Sequence, residues 1–149
     1  MTGIVKASRY SFFTDQTVAT FRAAAGCIVP SDAESPGADS DGAIAAADRA
    51  LASRPARDQK LLTGFLKAVE ILPIFRYGSR FSKLRRDRQD AFLRGLEGSS
   101  FSKFRQGFFG LKAFALMGYY AHEDSWRDIE YPGPRLDAPY YELRRGERP

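Results

Sequence analysis

Apolar side chains recur at three- and four-residue intervals in five stretches of the chain, which is the spacing of one face of an α-helix. We predict helices at 14–29, 41–53, 55–72, 85–96 and 100–120. Thr14 and Asp15 are candidate caps for the first helix, and Gly98 is a candidate terminator for the fourth. No alternation of apolar and polar residues extends over a useful length. The predicted fold class is therefore all-α, a single small helical bundle of about five helices.

The fifth predicted helix has the widest apolar face. Phe104, Phe108, Leu111 and Ala115 follow one stripe along it. A face this wide and aromatic is typical of a central helix that packs on more than one side. We predict that the core contains Phe65, Leu66, Val69, Phe92, Phe104, Phe108, Leu111 and Ala115.

The remaining segments divide the chain into an N-terminal arm (1–12), the helical domain (13–121) and an extended, irregular C-terminal segment (122–149). Residues 30–41 are rich in proline, glycine, serine and acids, and we predict a loop there. Loops of this length are usually either functional or flexible. Pro73 is expected to kink or end the third helix, and residues 74–84 show no clear pattern.

The composition suits one ordinary globular domain. The chain has 149 residues, and its 12 Phe, 7 Tyr and 1 Trp supply ample material for a core. No stretch approaches the roughly 20 apolar residues of a membrane-spanning helix, and no signal-peptide pattern is evident. We therefore expect a cytoplasmic protein. Cys27 is the only cysteine, which excludes a disulfide within the chain, and its position at a helix end predicts a buried thiol.

Residues suited to catalysis are few. His122 is the only histidine, so no triad or metal site with a second histidine can form. The neighbours Glu123 and Asp124 point in other directions on a helix, which disfavours a shared metal ion. No phosphate-binding, dinucleotide-binding or nucleophile motif is present. We expect a chain that is not an enzyme by itself and that binds no cofactor or metal.

A basic stretch covers residues 76–105, where nine bases and three acids leave a local charge of +6. Phe75, Tyr77, Phe81 and Phe101 interleave with the bases, as in proteins that bind single-stranded nucleic acid. The alternative is a solvated helical face whose phenylalanines point into the core. We favour this second interpretation because the phenylalanine spacings match the helical period, so we do not expect a nucleic-acid partner.

Aromatic residues also stand in the proline-rich C-terminal segment, where no helix can bury them in the usual way. They are Trp126, Tyr131, Tyr140 and Tyr141, and they lie among Pro132, Pro134 and Pro139. Aromatic side chains with polar tips are typical anchors of protein–protein interfaces. They could equally wrap around their own bundle, and the residues alone leave both alternatives open.

Two motifs together resemble a known family. CIVPSDAESPGA (27–38) ends the first helix, and GYYAHEDSWRDIEYPGP (118–134) follows the last one. Both are similar to motifs of the small subunit of membrane-linked gluconate 2-dehydrogenase, known as the gluconate 2-dehydrogenase subunit 3 family. The segment FSKLRRDRQDAFLRGLEGSSF (81–101) resembles the helix between them. The resemblance covers roughly residues 13–134.

The resemblance implies a non-catalytic helical partner of a large FAD-dependent oxidoreductase that oxidises an alcohol or sugar hydroxyl. Such a subunit would help the large chain fold, acquire flavin or be exported, and FAD is expected in the partner. Many relatives begin with a twin-arginine export signal. None is evident here, so the cytoplasmic expectation has a periplasmic alternative, for a complex that is exported or a leader that is missing.

The predicted partner interface combines the residues that match the two motifs with His122 and the two C-terminal tyrosines. Its members are Pro30, Asp32, Pro36, Gly37, Tyr119, Tyr120, His122, Trp126, Tyr131, Pro132, Gly133, Pro134, Tyr140 and Tyr141, and Gly118 matches the second motif as well.

Overall fold

Five long helices form most of the fold in the computed structural model, which describes residues 9–127 and 130–132. They are α1 (Asp15–Ile28), α2 (Asp41–Ala52), α3 (Ala56–Ile71), α5 (Arg86–Glu97) and α6 (Ser102–Ala121). Two short helices, α4 (Pro73–Tyr77) and α7 (Glu123–Trp126), follow α3 and α6, and a 3₁₀ turn covers Phe81–Lys83. Residues 9–127 contain no strand, so the predicted all-α bundle is confirmed.

The helix ends follow the local signals in the sequence. Thr14 caps α1, since its hydroxyl accepts from the main-chain N–H of Thr17 at 3.2 Å while its own N–H donates to the Thr17 hydroxyl at 2.9 Å. Pro73 separates α3 from α4, as predicted, because a proline lacks the N–H that would continue the helix. Gly78 ends α4 in the left-handed conformation, with φ of 70°.

The core lies around α6, which contacts α1, α2, α3 and α5 and packs most extensively against α2. Five of the predicted core residues are buried: Leu66, Val69, Phe108, Leu111 and Ala115. The prediction was too generous for Phe65, Phe92 and Phe104, which pack against the core but remain partly exposed. Phe104 lies in the first turn of α6, and all three rings are only partly covered by the residues around them.

Asp48 fastens the N-terminal arm to α2. This buried carboxylate accepts main-chain N–H bonds from Ser11, Phe12 and Phe13 at 2.7, 2.8 and 2.9 Å. The three bonds hold residues 11–13 against the bundle and direct the Phe13 side chain into the core. A buried carboxylate is costly unless its oxygens are hydrogen-bonded, and here both are.

Glu70 forms a second buried junction. Its carboxylate accepts from the Thr20 hydroxyl of α1 at 2.9 Å, from the Ser82 hydroxyl at 2.6 Å and from the Ser82 N–H at 3.1 Å. It thereby joins α1, α3 and the 3₁₀ turn. Within residues 9–127, no helix is long and apolar enough to cross a membrane.

Candidate partner-docking site

The loop between α1 and α2 is closed by its own hydrogen bonds. Asp32 accepts from the N–H groups of Glu34 and Ser35 at 2.9 and 2.7 Å, and its own N–H donates to the Ser35 carbonyl at 3.0 Å. The N–H of Ala38 donates to the Val29 carbonyl at 3.0 Å, which closes the base of the loop. Asp32 therefore shapes the loop, although its side chain is exposed.

Gly37 is buried at the narrowest point of this loop. A Cβ at this position would lie 2.7 Å from both the Val29 carbonyl oxygen and the Ser31 nitrogen. Only glycine permits two segments of main chain to approach each other so closely. The motif position is thus explained by loop closure.

The loop is joined to the end of α6 by one side-chain hydrogen bond. The hydroxyls of Ser35 and Tyr119 lie 2.7 Å apart, and Tyr119 is buried. Tyr119 was predicted as an interface residue, but the structure places it inside the chain, where it connects the two motifs. We call residues 30–43 and 118–126, which meet here, the motif junction.

Helix α2 packs against α6 within the motif junction at two glycines. A Cβ on Gly118 would overlap the carbonyl oxygen of Ala43 and lie 3.0 Å from the Cβ of Ala47. A Cβ on Gly42 would overlap the imidazole ring of His122. His122, a predicted interface residue, is therefore partly buried against α2.

The chain after α6 turns back onto the last turn of that helix. The buried Ser125 hydroxyl lies 2.6 Å from the Tyr119 carbonyl oxygen and 2.7 Å from that of His122. The Trp126 indole N–H donates to the Tyr120 carbonyl at 2.7 Å. Residues 123–126 were predicted to be extended and instead form α7, because these bonds close a helical turn.

Trp126 and Tyr131 form an aromatic pair on this end of the molecule. Their ring centres are 5.4 Å apart in an edge-to-face arrangement, and the Tyr131 N–H donates to the Trp126 carbonyl at 2.9 Å. An open cavity of about 370 Å³ lies beside them and is lined also by Glu123, Arg127 and Pro132. Trp126 thus packs partly on its own bundle, while 44% of Tyr131 and 50% of Tyr120 remain exposed.

The described residues of the predicted interface, taken with the motif residue Gly118, divide into three groups. Gly37, Gly118 and Tyr119 are buried and build the motif junction, whereas Pro30, Asp32, Tyr120, Tyr131 and Pro132 are exposed, and Pro36, His122 and Trp126 are intermediate. Gly133, Pro134, Tyr140 and Tyr141 lie outside the described residues, as does the side chain of Asp124. Sequence reasoning missed Ser35, Gly42 and Ser125, whose small side chains gave no signal apart from their place beside the motifs.

Cys27 lies at the edge of a second open cleft, of about 830 Å³, between α1 and α5. It is only half-buried, so the prediction of a buried thiol was wrong. Burial raises the pKa of the Cys27 thiol, while the Arg86 guanidinium, 3.6 Å from the sulfur, acts in the opposite direction. Arg86 also lies 3.9 Å from the Asp39 carboxylate, so the cleft carries charges of both signs.

The basic stretch exposes more aromatic surface than predicted. Phe81 is fully buried, but Phe75 and Phe101 are 86% and 70% exposed. The expectation that these phenylalanines all point into the core is therefore wrong for two of them. Phe75 belongs to the five-residue helix α4, and Phe101 precedes α6, so neither position has a helix packed over it.

No group of three or more His, Cys, Asp or Glu side chains is arranged to hold a metal ion in residues 9–127 and 130–132.

The fold and the motif junction together define a small helical protein whose distinguishing residues build one end of the bundle. The chain belongs to the gluconate 2-dehydrogenase subunit 3 family, whose sequence model matches residues 15–133. The family is that of a subunit of a multi-subunit dehydrogenase, which implies a catalytic partner. No curated protein and no solved structure gives a match.

Proposed function

We propose that this chain is the non-catalytic small subunit of a heteromeric FAD-dependent dehydrogenase that oxidises an alcohol or sugar hydroxyl. FAD is bound by the large subunit in this proposal, and the small subunit supports the folding, stability, flavin loading or export of its partner. The family match over residues 15–133 supports the class of complex. The observation that carries the proposal is the motif junction, because the two motifs that distinguish the chain meet there through Ser35 and Tyr119.

The motif junction has the features of a docking surface. Its interior is fixed by hydrogen bonds and by the α2–α6 contact, so the exposed groups stand on a rigid base. Tyr120 in the junction and Tyr131, which packs on Trp126 beside it, are half-exposed tyrosines, the residue type that most often anchors an interface together with Trp and Arg. We therefore propose that the large subunit contacts the surface around Tyr120, Trp126 and Tyr131.

Co-expression with a neighbouring gene for a large flavoprotein tests the proposal. The tagged small chain is expected to co-purify with the flavoprotein, and the small chain purified alone is expected to show no flavin absorbance. Tyr120→Ala and Tyr131→Ala should each weaken the complex by about thirtyfold, the loss of an anchor worth about 2 kcal/mol. Phe101→Ala is the matched control, since this exposed phenylalanine lies about 28 Å away at the other end of α6.

The possible outcomes distinguish a failure of the proposed accessory role from a failure of the proposed docking surface. A wild-type chain that does not bind the flavoprotein, or that carries flavin and oxidises substrate alone, contradicts the accessory role. If wild type and both tyrosine variants bind equally well, the accessory role stands and the docking surface is wrong. Circular dichroism of each variant checks that the bundle remains folded.

A further inference from the structure

Helices α3 and α4 carry a second apolar face that points away from the core. Leu72 keeps helical dihedral angles between them (φ −54°, ψ −38°), so α4 follows α3 with no intervening loop. Leu66 and Val69 on the inner face are buried. On the opposite face Leu61 and Ile71 are more than half exposed, and Phe75 is 86% exposed. Leu61, Ala68 and Ile71 follow the helical repeat of α3 and Phe75 comes four residues later in α4, so these side chains form one outward stripe.

The charges around this stripe are predominantly positive. Residues 59–84 contain five bases, Lys60, Lys67, Arg76, Arg80 and Lys83, and a single acid, Glu70, and the one further acid of α3 is the exposed Asp58 in its first turn. Glu70 is buried and bound by Thr20 and Ser82, so it does not neutralise the surface. All five bases are exposed, and no carboxylate in the described part of the chain forms an ion pair with them.

We propose that the outer face of α3–α4 binds the surface of an anionic lipid bilayer. Leu61, Ile71 and Phe75 enter the boundary between headgroups and acyl chains, and the flanking lysines and arginines contact lipid phosphates. An exposed apolar helix face with basic residues along its border has the pattern of a helix that lies in a membrane interface. The positive charge of the face is complementary to anionic headgroups. This proposal does not depend on the docking of a large subunit.

The nature of the apolar groups favours lipid over other anionic partners. Proteins that bind single-stranded nucleic acid stack bases on aromatic rings, whereas most of this stripe is aliphatic. Ile74 is also partly exposed beside Phe75, so the tip of the face is a hydrophobic projection. A fluid bilayer can receive such a projection without a matching pocket, which a protein partner would have to provide.

Vesicle co-sedimentation of the full chain tests this proposal. We expect binding to vesicles that contain phosphatidylglycerol, little binding to pure phosphatidylcholine, and release at high salt. Phe75→Ser should lower the partition coefficient by about tenfold. Arg76→Gln and Arg80→Gln should each lower it by about fivefold. Phe109→Ser is the matched control, since this ring is 58% exposed but belongs to α6 and not to the α3–α4 face, and it should leave binding unchanged.

Three results would overturn the proposal. The first is equal binding to neutral and anionic vesicles, or equal losses with Phe75→Ser and Phe109→Ser. The second is tight, Phe75-dependent binding to oligo(dT) that prevents vesicle binding. The third is a Phe75→Ser variant that still binds vesicles but no longer co-purifies with a large subunit, which would make this face a protein interface. Because Phe75 and both arginines are exposed, each variant is expected to keep the wild-type circular dichroism spectrum.

Discussion

Replacing Gly118 with alanine tests how closely α2 and α6 pack in the motif junction. The added methyl group would overlap the Ala43 carbonyl oxygen and lie 3.0 Å from the Cβ of Ala47. Neither the main chain nor an alanine side chain can rotate away, so the two helices would have to move apart. Gly110 on the same helix provides the matched control, because a Cβ there has no atom within 4 Å.

The two substitutions should change stability in opposite directions. Alanine is favoured over glycine inside a helix by about 1 kcal/mol, so Gly110→Ala should raise the free energy of unfolding by up to that amount. At Gly118 the same gain is opposed by overpacking, which typically costs about 1–3 kcal/mol and is large here because a main-chain atom is overlapped. We expect a net loss of about 1–2 kcal/mol, equivalent to a Tm lower by about 2–8 °C for a chain of this size.

Thermal unfolding followed by circular dichroism at the helical band measures both variants against the wild type. A Gly118→Ala chain that melts as high as Gly110→Ala would refute the close α2–α6 contact. Neither variant removes a hydroxyl of the Ser35–Tyr119 hydrogen bond, so the difference between their melting temperatures reports helix packing.

Gly42→Ala should displace the ring of His122 and accelerate its modification by diethyl pyrocarbonate several-fold, with Gly110→Ala unchanged; an unaltered rate would contradict the contact. Asp48→Asn should lower the free energy of unfolding by about 2 kcal/mol in urea titrations, because three main-chain N–H groups lose a charged acceptor, and an unchanged midpoint would argue against this role. Burial raises the pKa of Cys27, so the pH–rate profile of its alkylation should lie at higher pH in the folded chain than in the unfolded one. The stability from this thiol is complete below its unfolded pKa and falls as pH rises through the folded pKa. Removal of the Arg86 charge by glutamine should move the profile further up, and a downward shift would contradict the assigned effect of that guanidinium.

Local signals in the sequence predicted the helices well. The Thr14 cap, Pro73 and the periodic apolar faces each act within one or two turns, and every long helix was found within two residues of its predicted ends. The depth of burial was harder to predict, because periodicity gives a direction and not the presence of a neighbouring helix. Phe75 has helical spacing but no helix packed above it, and Cys27 stands beside an open cleft.

The motif junction could be located from the sequence but not understood from it. The residues that build it come from positions about 80 apart, as Ser35 and Tyr119 do, and no local pattern reveals such a pair. Asp48 shows the same limit, since an acid in an alanine-rich helix gave no indication that it binds main-chain N–H groups of the N-terminal arm. Tyr119 was recognised as a motif residue, but its burial and its bond to Ser35 could not be read from its position.

The hydrogen-bonded loop between α1 and α2 bears on the thermodynamics of assembly. Fixing the main chain of a single residue costs roughly 1–2 kcal/mol in conformational entropy. Because Asp32, Ser35 and Ala38 are already held by bonds within the chain, that entropy is lost when the bundle folds. A partner that binds beside this loop meets a preorganised surface, so its affinity is not reduced by a disorder-to-order transition of these residues. Association should therefore show a small heat-capacity change, in proportion to the contact area alone.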